Sequence, residues 1–124
     1  MRLEHINMTV SDPKEVAAVF CDLFDWHIRW EGVASDNGYS VHVGDEDAYI
    51  ALYSPATSPS AGSNTYHTRG GLNHIGIVVA DIQKAEARVS KAGFEPRSHA
   101  DYEPGKRFYF DGPEGVEIEV VSYA

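Results

Sequence analysis

The first half of the chain alternates hydrophobic and polar residues over short segments, a pattern typical of β-strands. In residues 3–10, Ile6, Met8 and Val10 share one face, whereas His5 and the other polar positions share the opposite face. The run of Ser11, Asp12 and Pro13 then predicts the start of a helix, with hydrophobic residues at helical spacing after it. Three more strands are predicted, at His27 to Val33, Tyr39 to Val43 and Ala48 to Tyr53. The predicted order is β-α-β-β-β.

The second half of the chain repeats this order. Residues 54–71 are rich in Ser, Pro, Thr, Gly and Asn, which predicts a connecting segment. After it, residues 72–75 (LNHI) restate residues 3–6 (LEHI) at an offset of 69, so His74 is the counterpart of His5. A helical pattern follows, and Gly93 ends it. The predicted elements here are a helix at Ile82 to Ala92 and strands at Phe94 to Ser98, Lys106 to Phe110 and Val116 to Ser122.

Two such modules predict a single α+β domain over residues 1–124, with modules at 1–55 and 71–124 and a linker at 56–70. We expect one curved, open-sided mixed sheet with the helices on its outer face and a cavity on its inner face. In the last strand, Ile118 and Val120 should face the helices, which turns Glu117 and Glu119 toward the cavity. A carboxylate aimed inward requires a partner.

Composition and charge argue against several classes of partner. The chain has 19 acidic and 10 basic residues, a formal net charge of −9 and no run of Lys and Arg, so nucleic acid is not expected as a partner. No apolar run approaches the roughly 20 residues that span a bilayer, and the start of the chain lacks a signal-peptide pattern. We therefore expect a cytoplasmic protein without a membrane partner. The single cysteine, Cys21, excludes an intrachain disulfide and a multi-cysteine zinc site, so any metal must bind His and carboxylates.

His5, His74 and Glu119 are the candidate ligands of such a metal. His5 and His74 hold equivalent positions in the two modules, so pseudo-twofold symmetry would bring both side chains to a shared site, which Glu119 reaches from the last strand. Two imidazoles and one carboxylate form a facial ligand set that leaves coordination positions open and suits divalent Fe, Mn, Ni or Zn. The alternatives are Glu117 as the carboxylate ligand and a vestigial site without metal.

The chain resembles the vicinal oxygen chelate superfamily at both ends. Residues 3–6 and 71–75 resemble the first strands of its two modules, and residues 108–119 (FYFDGPEGVEIE) resemble its aromatic strand, Asp-Pro-x-Gly turn and metal-binding Glu strand. The resemblance covers nearly the whole chain. Members include glyoxalase I, methylmalonyl-CoA epimerase, extradiol dioxygenases, fosfomycin-resistance thiol transferases and metal-free bleomycin-binding proteins. It implies a divalent metal that binds neighbouring oxygens of a small substrate in a lyase, dioxygenase or transferase reaction.

One position departs from the glyoxalase I pattern. That enzyme has a fourth ligand, a Glu on the last strand of its first module, and the equivalent residue here is Ala51. This difference argues against glyoxalase I chemistry and against the epimerase pattern, whereas three ligands resemble the dioxygenases and thiol transferases. Dioxygenases carry further His and Tyr groups near the metal, for which Tyr109, His67 and His42 are candidates.

The strand patterns also predict residues that contact a substrate. If Phe108 and Phe110 pack outward, Arg107 and Tyr109 face the cavity and supply a cation for an anionic substrate and a phenol near the metal. On the last strand of the first module, Tyr49, Ala51 and Tyr53 share one face and are candidates to line the pocket, although aromatic residues on strands often belong to the core.

Two functions follow from these candidates. The first is a small metalloenzyme that uses His5, His74 and Glu119, and the alternative is a metal-free protein of the bleomycin-resistance type that binds a small molecule. We also expect a homodimer, because short modules of this kind leave sheet edges that association would cover.

Overall fold

The computed structural model describes residues 1–62, 64–102 and 105–124. The chain forms two compact units, Met1–Ala61 and Gly62–Ala124, and their boundary falls inside the predicted linker. Each unit has the predicted order β-α-β-β-β. None of the helices in the described residues is long and apolar enough to cross a membrane.

The first unit contains a four-stranded sheet in the order β1-β4-β3-β2, in which β1 and β4 are parallel and the other neighbours are antiparallel. The Asp12 side chain caps the helix by accepting a hydrogen bond from the backbone N–H of Glu15 at 3.2 Å, and Pro13 occupies the first turn. The helix packs Phe20 and other buried residues against β3 and β4. The elements are β1 (His5–Thr9), α1 (Pro13–Phe24), β2 (His27–Val33), β3 (Tyr39–Gly44) and β4 (Tyr49–Ser54).

The second unit has the same design, with the sheet order β5-β8-β7-β6. Asp81 caps its helix, accepting a hydrogen bond from the Lys84 N–H at 3.0 Å. The side chains of Phe108, Phe110 and Ile118 are fully buried in its core. The elements are β5 (Ile75–Val78), α2 (Ile82–Lys91), β6 (Arg97–Tyr102), β7 (Gly105–Asp111) and β8 (Glu117–Ser122).

Alternation along the strands divides each sheet into a helix face and an opposite face, which we call the site face. In the first unit Val41, Val43, Ile50 and Leu52 are buried on the helix face, so His42 and Ala51 between them lie on the site face. In the second unit Ile118 and Val120 are fully buried, as predicted, and the intervening Glu119 lies on the site face.

The α+β class and the paired modules are confirmed, but two predicted details were wrong. The described strands pair in two four-stranded sheets, one within each unit, and not in one continuous curved sheet. The sixth strand begins at Arg97 rather than Phe94. The Phe94 N–H still bonds to the Val89 carbonyl after the helix, and Pro96 has no N–H to donate to a sheet.

Candidate functional site

Two of the three predicted ligands lie in contact in the second unit. Glu119 is on the site face of β8, and His74 immediately precedes β5, the parallel neighbour of β8. The Nε2 atom of His74 is 3.1 Å from Oε2 of Glu119. The Glu119 side chain is 12% exposed and that of His74 is 35% exposed. The pair is therefore partly shielded from water but accessible from one side.

Glu119 is also held by two residues of β7. Nη1 of Arg107 donates to Oε1 of Glu119 at 2.9 Å, and the Tyr109 hydroxyl donates to Oε2 at 3.0 Å. Burial, followed by this hydrogen bond, raises the pKa of Tyr109. The Nε and Nη2 atoms of Arg107 are buried without a hydrogen-bond partner among the described residues. Arg107 and Tyr109 thus lie on the predicted face, where Arg107 balances the charge of the carboxylate and Tyr109 donates a hydrogen bond to it.

The other ring nitrogen of His74 faces a second carboxylate. Nδ1 of His74 lies 3.5 Å from Oε1 of Glu117 and 3.4 Å from the Tyr66 hydroxyl. Tyr66 donates to Glu117, and Arg97 donates to Oε2 of the same carboxylate at 2.6 Å. Arg97 and then Tyr66 lower the pKa of Glu117. A carboxylate on the far nitrogen of a ligating histidine orients the ring, so Glu117 is placed to position His74.

His5 lies in the first unit with a related environment. Its Nδ1 is 2.8 Å from Oε1 of Glu4, and its ring stacks on the Tyr49 ring with centroids 4.8 Å apart. His42 stacks on the same tyrosine ring at 4.6 Å. Burial first, and then the charges of His5 and Arg29, lower the pKa of His42.

The remaining predicted pocket residues of β4 differ from one another. Ala51 is buried on the site face, opposite Asn7 on β1 and His42 on β3. Tyr53 turns toward the 3₁₀ turn before β3, where its hydroxyl donates to the Ser35 carbonyl at 2.9 Å. Tyr49 therefore contacts His5, Ala51 follows two positions later on the same face, and the hydroxyl of Tyr53 is engaged by the turn.

Several polar side chains are accounted for by local partners. His27 faces Glu46 at 3.5 Å, and His99 pairs with Glu86. His67 is exposed in the linker. Burial raises the pKa of the Cys21 thiol, which agrees with an unreactive residue on α1.

Neither unit alone supplies the three predicted ligands of a divalent ion, although imidazole and carboxylate are suitable ligand types. Among residues 1–62, 64–102 and 105–124, no group of three or more His, Cys, Asp or Glu side chains is arranged to hold a metal. His74 and Glu119 offer one imidazole and one carboxylate, and His5, the third predicted ligand, belongs to the first unit. The ion pair with Arg107 opposes metal binding, since a guanidinium occupies one oxygen of Glu119.

Sequence reasoning missed the parts of the site that depend on strand pairing. Trp30 pairs with His42, and their rings are 5.0 Å apart. Arg97 lies opposite Tyr109 and reaches Glu117. Glu117 was considered only as an alternative ligand. The linker composition carries no signal for the contact of Tyr66 with His74.

The sequence matches one protein family over most of its length. The family model of the Glyoxalase/Bleomycin resistance protein/Dioxygenase superfamily matches residues 2–120. The comparison with curated proteins found no match.

Several solved structures share the fold. A glyoxylase/bleomycin resistance protein/dioxygenase domain from Frankia sp. EAN1pec has a TM-score of 0.81 at 19% identity, with 98% of this chain and 91% of that chain covered. The fosfomycin resistance protein FosX from Listeria monocytogenes has a TM-score of 0.76 at 17% identity, with coverages of 97% and 91%. TnmS3, an antibiotic binding protein from Streptomyces sp. CB03234, has a TM-score of 0.77 at 15% identity, with coverages of 100% and 97%. At these identities the likeness concerns the fold alone.

Proposed function

Because the chain belongs to the Glyoxalase/Bleomycin resistance protein/Dioxygenase superfamily, as its resemblance to vicinal oxygen chelate proteins predicted, we propose that it is a small metal-dependent enzyme. In this proposal His5, His74 and Glu119 bind one divalent ion, Fe, Mn, Ni or Zn, at a site that accepts two neighbouring oxygens of a small substrate. The reaction is of the lyase, dioxygenase or transferase type.

The contact between His74 and Glu119 carries the proposal. Nε2 of His74 is directed at Oε2 of Glu119 at 3.1 Å, although the two residues are 45 positions apart in the sequence. Nδ1 of each candidate histidine faces a carboxylate, Glu4 for His5 and Glu117 for His74. Such partners fix the ring so that Nε2 serves as the ligand.

The surrounding residues have roles that follow from their contacts. When bound, the ion would supply a Lewis acid that stabilises negative charge on substrate oxygens. The Tyr109 hydroxyl lies beside Glu119 and holds a proton there, since its pKa is raised. Arg107 supplies a positive charge at the same carboxylate and two buried donor atoms for an anionic substrate group.

Elemental analysis tests this function directly. The full-length protein is purified without added metal, reconstituted with Fe(II), Mn(II), Ni(II) or Zn(II), desalted and analysed. We expect retention of about one ion per site for at least one of these metals. Failure to retain any of the four would contradict the proposal.

One observation favours a second function, that of a metal-free protein that binds a small molecule. Arg107 and Tyr109 already satisfy Glu119 at 2.9 and 3.0 Å, so this carboxylate needs no metal for its charge to be balanced. The antibiotic binding protein TnmS3 shares the fold. Ligand-induced thermal stabilisation that persists in excess chelator would favour this function over the enzyme.

A further inference from the structure

A row of aromatic rings crosses the site face of the first sheet. The Trp30 and His42 ring centroids are 5.0 Å apart, His42 and Tyr49 are 4.6 Å apart, and Tyr49 and His5 are 4.8 Å apart. The members come from β2, β3, β4 and β1, so the row extends from one edge of the sheet to the other. We call these residues the ring row: Trp30, His42, Tyr49 and His5.

The outer end of the ring row is accessible. Trp30 lies on the edge strand β2 and is 49% exposed. A β-bulge between Ile28 and Trp30 turns the indole to the site face, where it pairs with His42. The indole lies against Gly32, since a Cβ atom there would be 2.8 Å from Cζ2 of Trp30. A large exposed ring set in a fixed position is a feature of binding surfaces.

The fold itself does not require rings at these positions. In the first sheet, Trp30 of β2 lies opposite His42 of β3. At the corresponding place in the second sheet, Arg97 of β6 lies opposite Tyr109 of β7. Likewise, Tyr49 beside His5 corresponds to Glu117 beside His74. At two of the four positions, those of Trp30 and Tyr49, the second module therefore has charged residues, Arg97 and Glu117, although both sheets have the same strand order. The ring row is thus specific to the first module.

We propose that the ring row binds a planar aromatic ring of the substrate, which stacks on the exposed indole of Trp30 at the outer end of the row. This inference rests on the proposed function in one respect, because the row ends at His5, which is a proposed metal ligand. The His42 and His5 rings are stacked on Tyr49 with centroids 4.6 and 4.8 Å apart, a spacing at which aromatic groups attract one another, so the neighbour of Trp30 is held in a fixed position. The Arg29 guanidinium, 4.6 Å from the Tyr49 ring, holds the inner part of the row in place.

Two-dimensional ¹⁵N NMR of the indole N–H groups tests this binding in the full-length protein. The chain contains two tryptophans, Trp26 and Trp30, and Trp26 packs on Phe20 and Phe24 of α1. The variants Trp26→Phe and Trp30→Phe assign the two signals. The probe is 2-naphthol, and its matched control is decahydro-2-naphthol, which has the same carbon skeleton without an aromatic plane. All titrations contain excess chelator.

We expect 2-naphthol to shift the Trp30 signal saturably while the Trp26 signal stays in place. Decahydro-2-naphthol should bind at least about five-fold more weakly, since it cannot stack. Trp30→Leu should weaken binding by a similar factor, measured by calorimetry, and Gly32→Ala should weaken it by displacing the indole while keeping every ring.

Three results would overturn the inference: equal affinity for both probes, equal shifts of the two tryptophans, or no shift at millimolar 2-naphthol. Because chelator is present throughout, the outcome is independent of metal binding, which elemental analysis reports separately.

Discussion

Ala51 occupies in the first sheet the position that Glu119 occupies in the second. Ala51 lies opposite Asn7 on the parallel neighbour strand, and Glu119 lies opposite Gly76. Asn7 and Gly76 are themselves related by the sequence offset of 69. The two modules therefore differ at this position. The second module has a carboxylate, Glu119, in the same module as His74, whereas the first module has Ala51 in the same module as His5.

Installing the missing carboxylate should strengthen metal binding. Ala51→Glu adds a carboxylate as a fourth ligand in the first module, so we expect slower loss of the divalent ion to a competing chelator. Ala51→Gln is the matched control, because it adds nearly the same volume at this buried position without the charge. Equal or faster metal loss in Ala51→Glu than in Ala51→Gln would show that residue 51 does not reach the ion.

Removing the cation at Glu119 should also strengthen metal binding. Arg107 Nη1 is 2.9 Å from Glu119, and a positive charge at that distance repels a divalent ion and occupies one carboxylate oxygen. For Arg107→Met we expect a gain of about ten-fold in metal affinity, measured by calorimetry. Lys106→Met removes a charge from the exposed neighbouring position and should change the affinity little. An affinity that is unchanged or lower in Arg107→Met would contradict this competition.

The elements and the positions of His74 and Glu119 could be predicted because their signals are local or repeated. Asp12, Pro13 and Asp81 mark helix starts by their own chemistry, and the restated LEHI segment marks His74 as the counterpart of His5. Alternation along the last strand placed Glu119 on the site face. These inferences need no knowledge of which strands pair.

The parts that were missed depend on strand pairing. Periodicity indicates which face a residue occupies but not which strand lies beside it, so it did not predict two separate sheets. Strict alternation puts Trp30 on the same face as Ile28, whereas the bulge between them turns Trp30 toward His42. Pairing across the β3–β4 hairpin likewise sets His42 beside Tyr49. Periodicity does not indicate which residues of the two strands lie opposite each other in that hairpin.

The turn between β3 and β4 should make the stability of the fold depend on pH in the acid range. The Asp45 carboxylate accepts hydrogen bonds from the Asp47 and Ala48 N–H groups at 2.8 and 3.0 Å. The bonds from Ala48 and then Asp47 lower the pKa of Asp45. A lowered pKa means that the stabilisation is present above the ordinary aspartate value of about 3.9 and is lost as the pH falls through the folded-state value.

Thermal unfolding between pH 6 and pH 2.5 measures this dependence. Wild-type protein should have a higher Tm than Asp45→Asn at pH 6, and the difference should shrink below about pH 4, since the amide keeps an acceptor but does not titrate. Asp47→Asn, in the same turn, is the control for loss of one negative charge, because only the backbone of Asp47 bonds to Asp45. A difference for Asp45→Asn that stays constant over the whole range would contradict the assignment.

The edge strands of both sheets favour association of the chain. We predict a homodimer, because β1 and β2 in one sheet and β5 and β6 in the other are edge strands of the sheets that the described residues form. Light scattering at micromolar concentration should give twice the 13.7 kDa monomer mass. A monomer mass would reject the dimer.

Mixing His5→Ala with His74→Ala chains tests whether one site takes its ligands from two chains. Recovered metal binding in the mixture would indicate that it does.

The metal content of His74→Ala tests the central claim most directly. After reconstitution and desalting, wild type should retain the ion, whereas His74→Ala, which lacks one of the three proposed ligands, should bind it more weakly by about two orders of magnitude or more. His27→Ala is the matched control, because His27 is an exposed histidine of the first unit beside Glu46 and should leave retention unchanged. Loss of metal in His74→Ala alone is the predicted result, and metal content equal to that of wild type would contradict the proposed site.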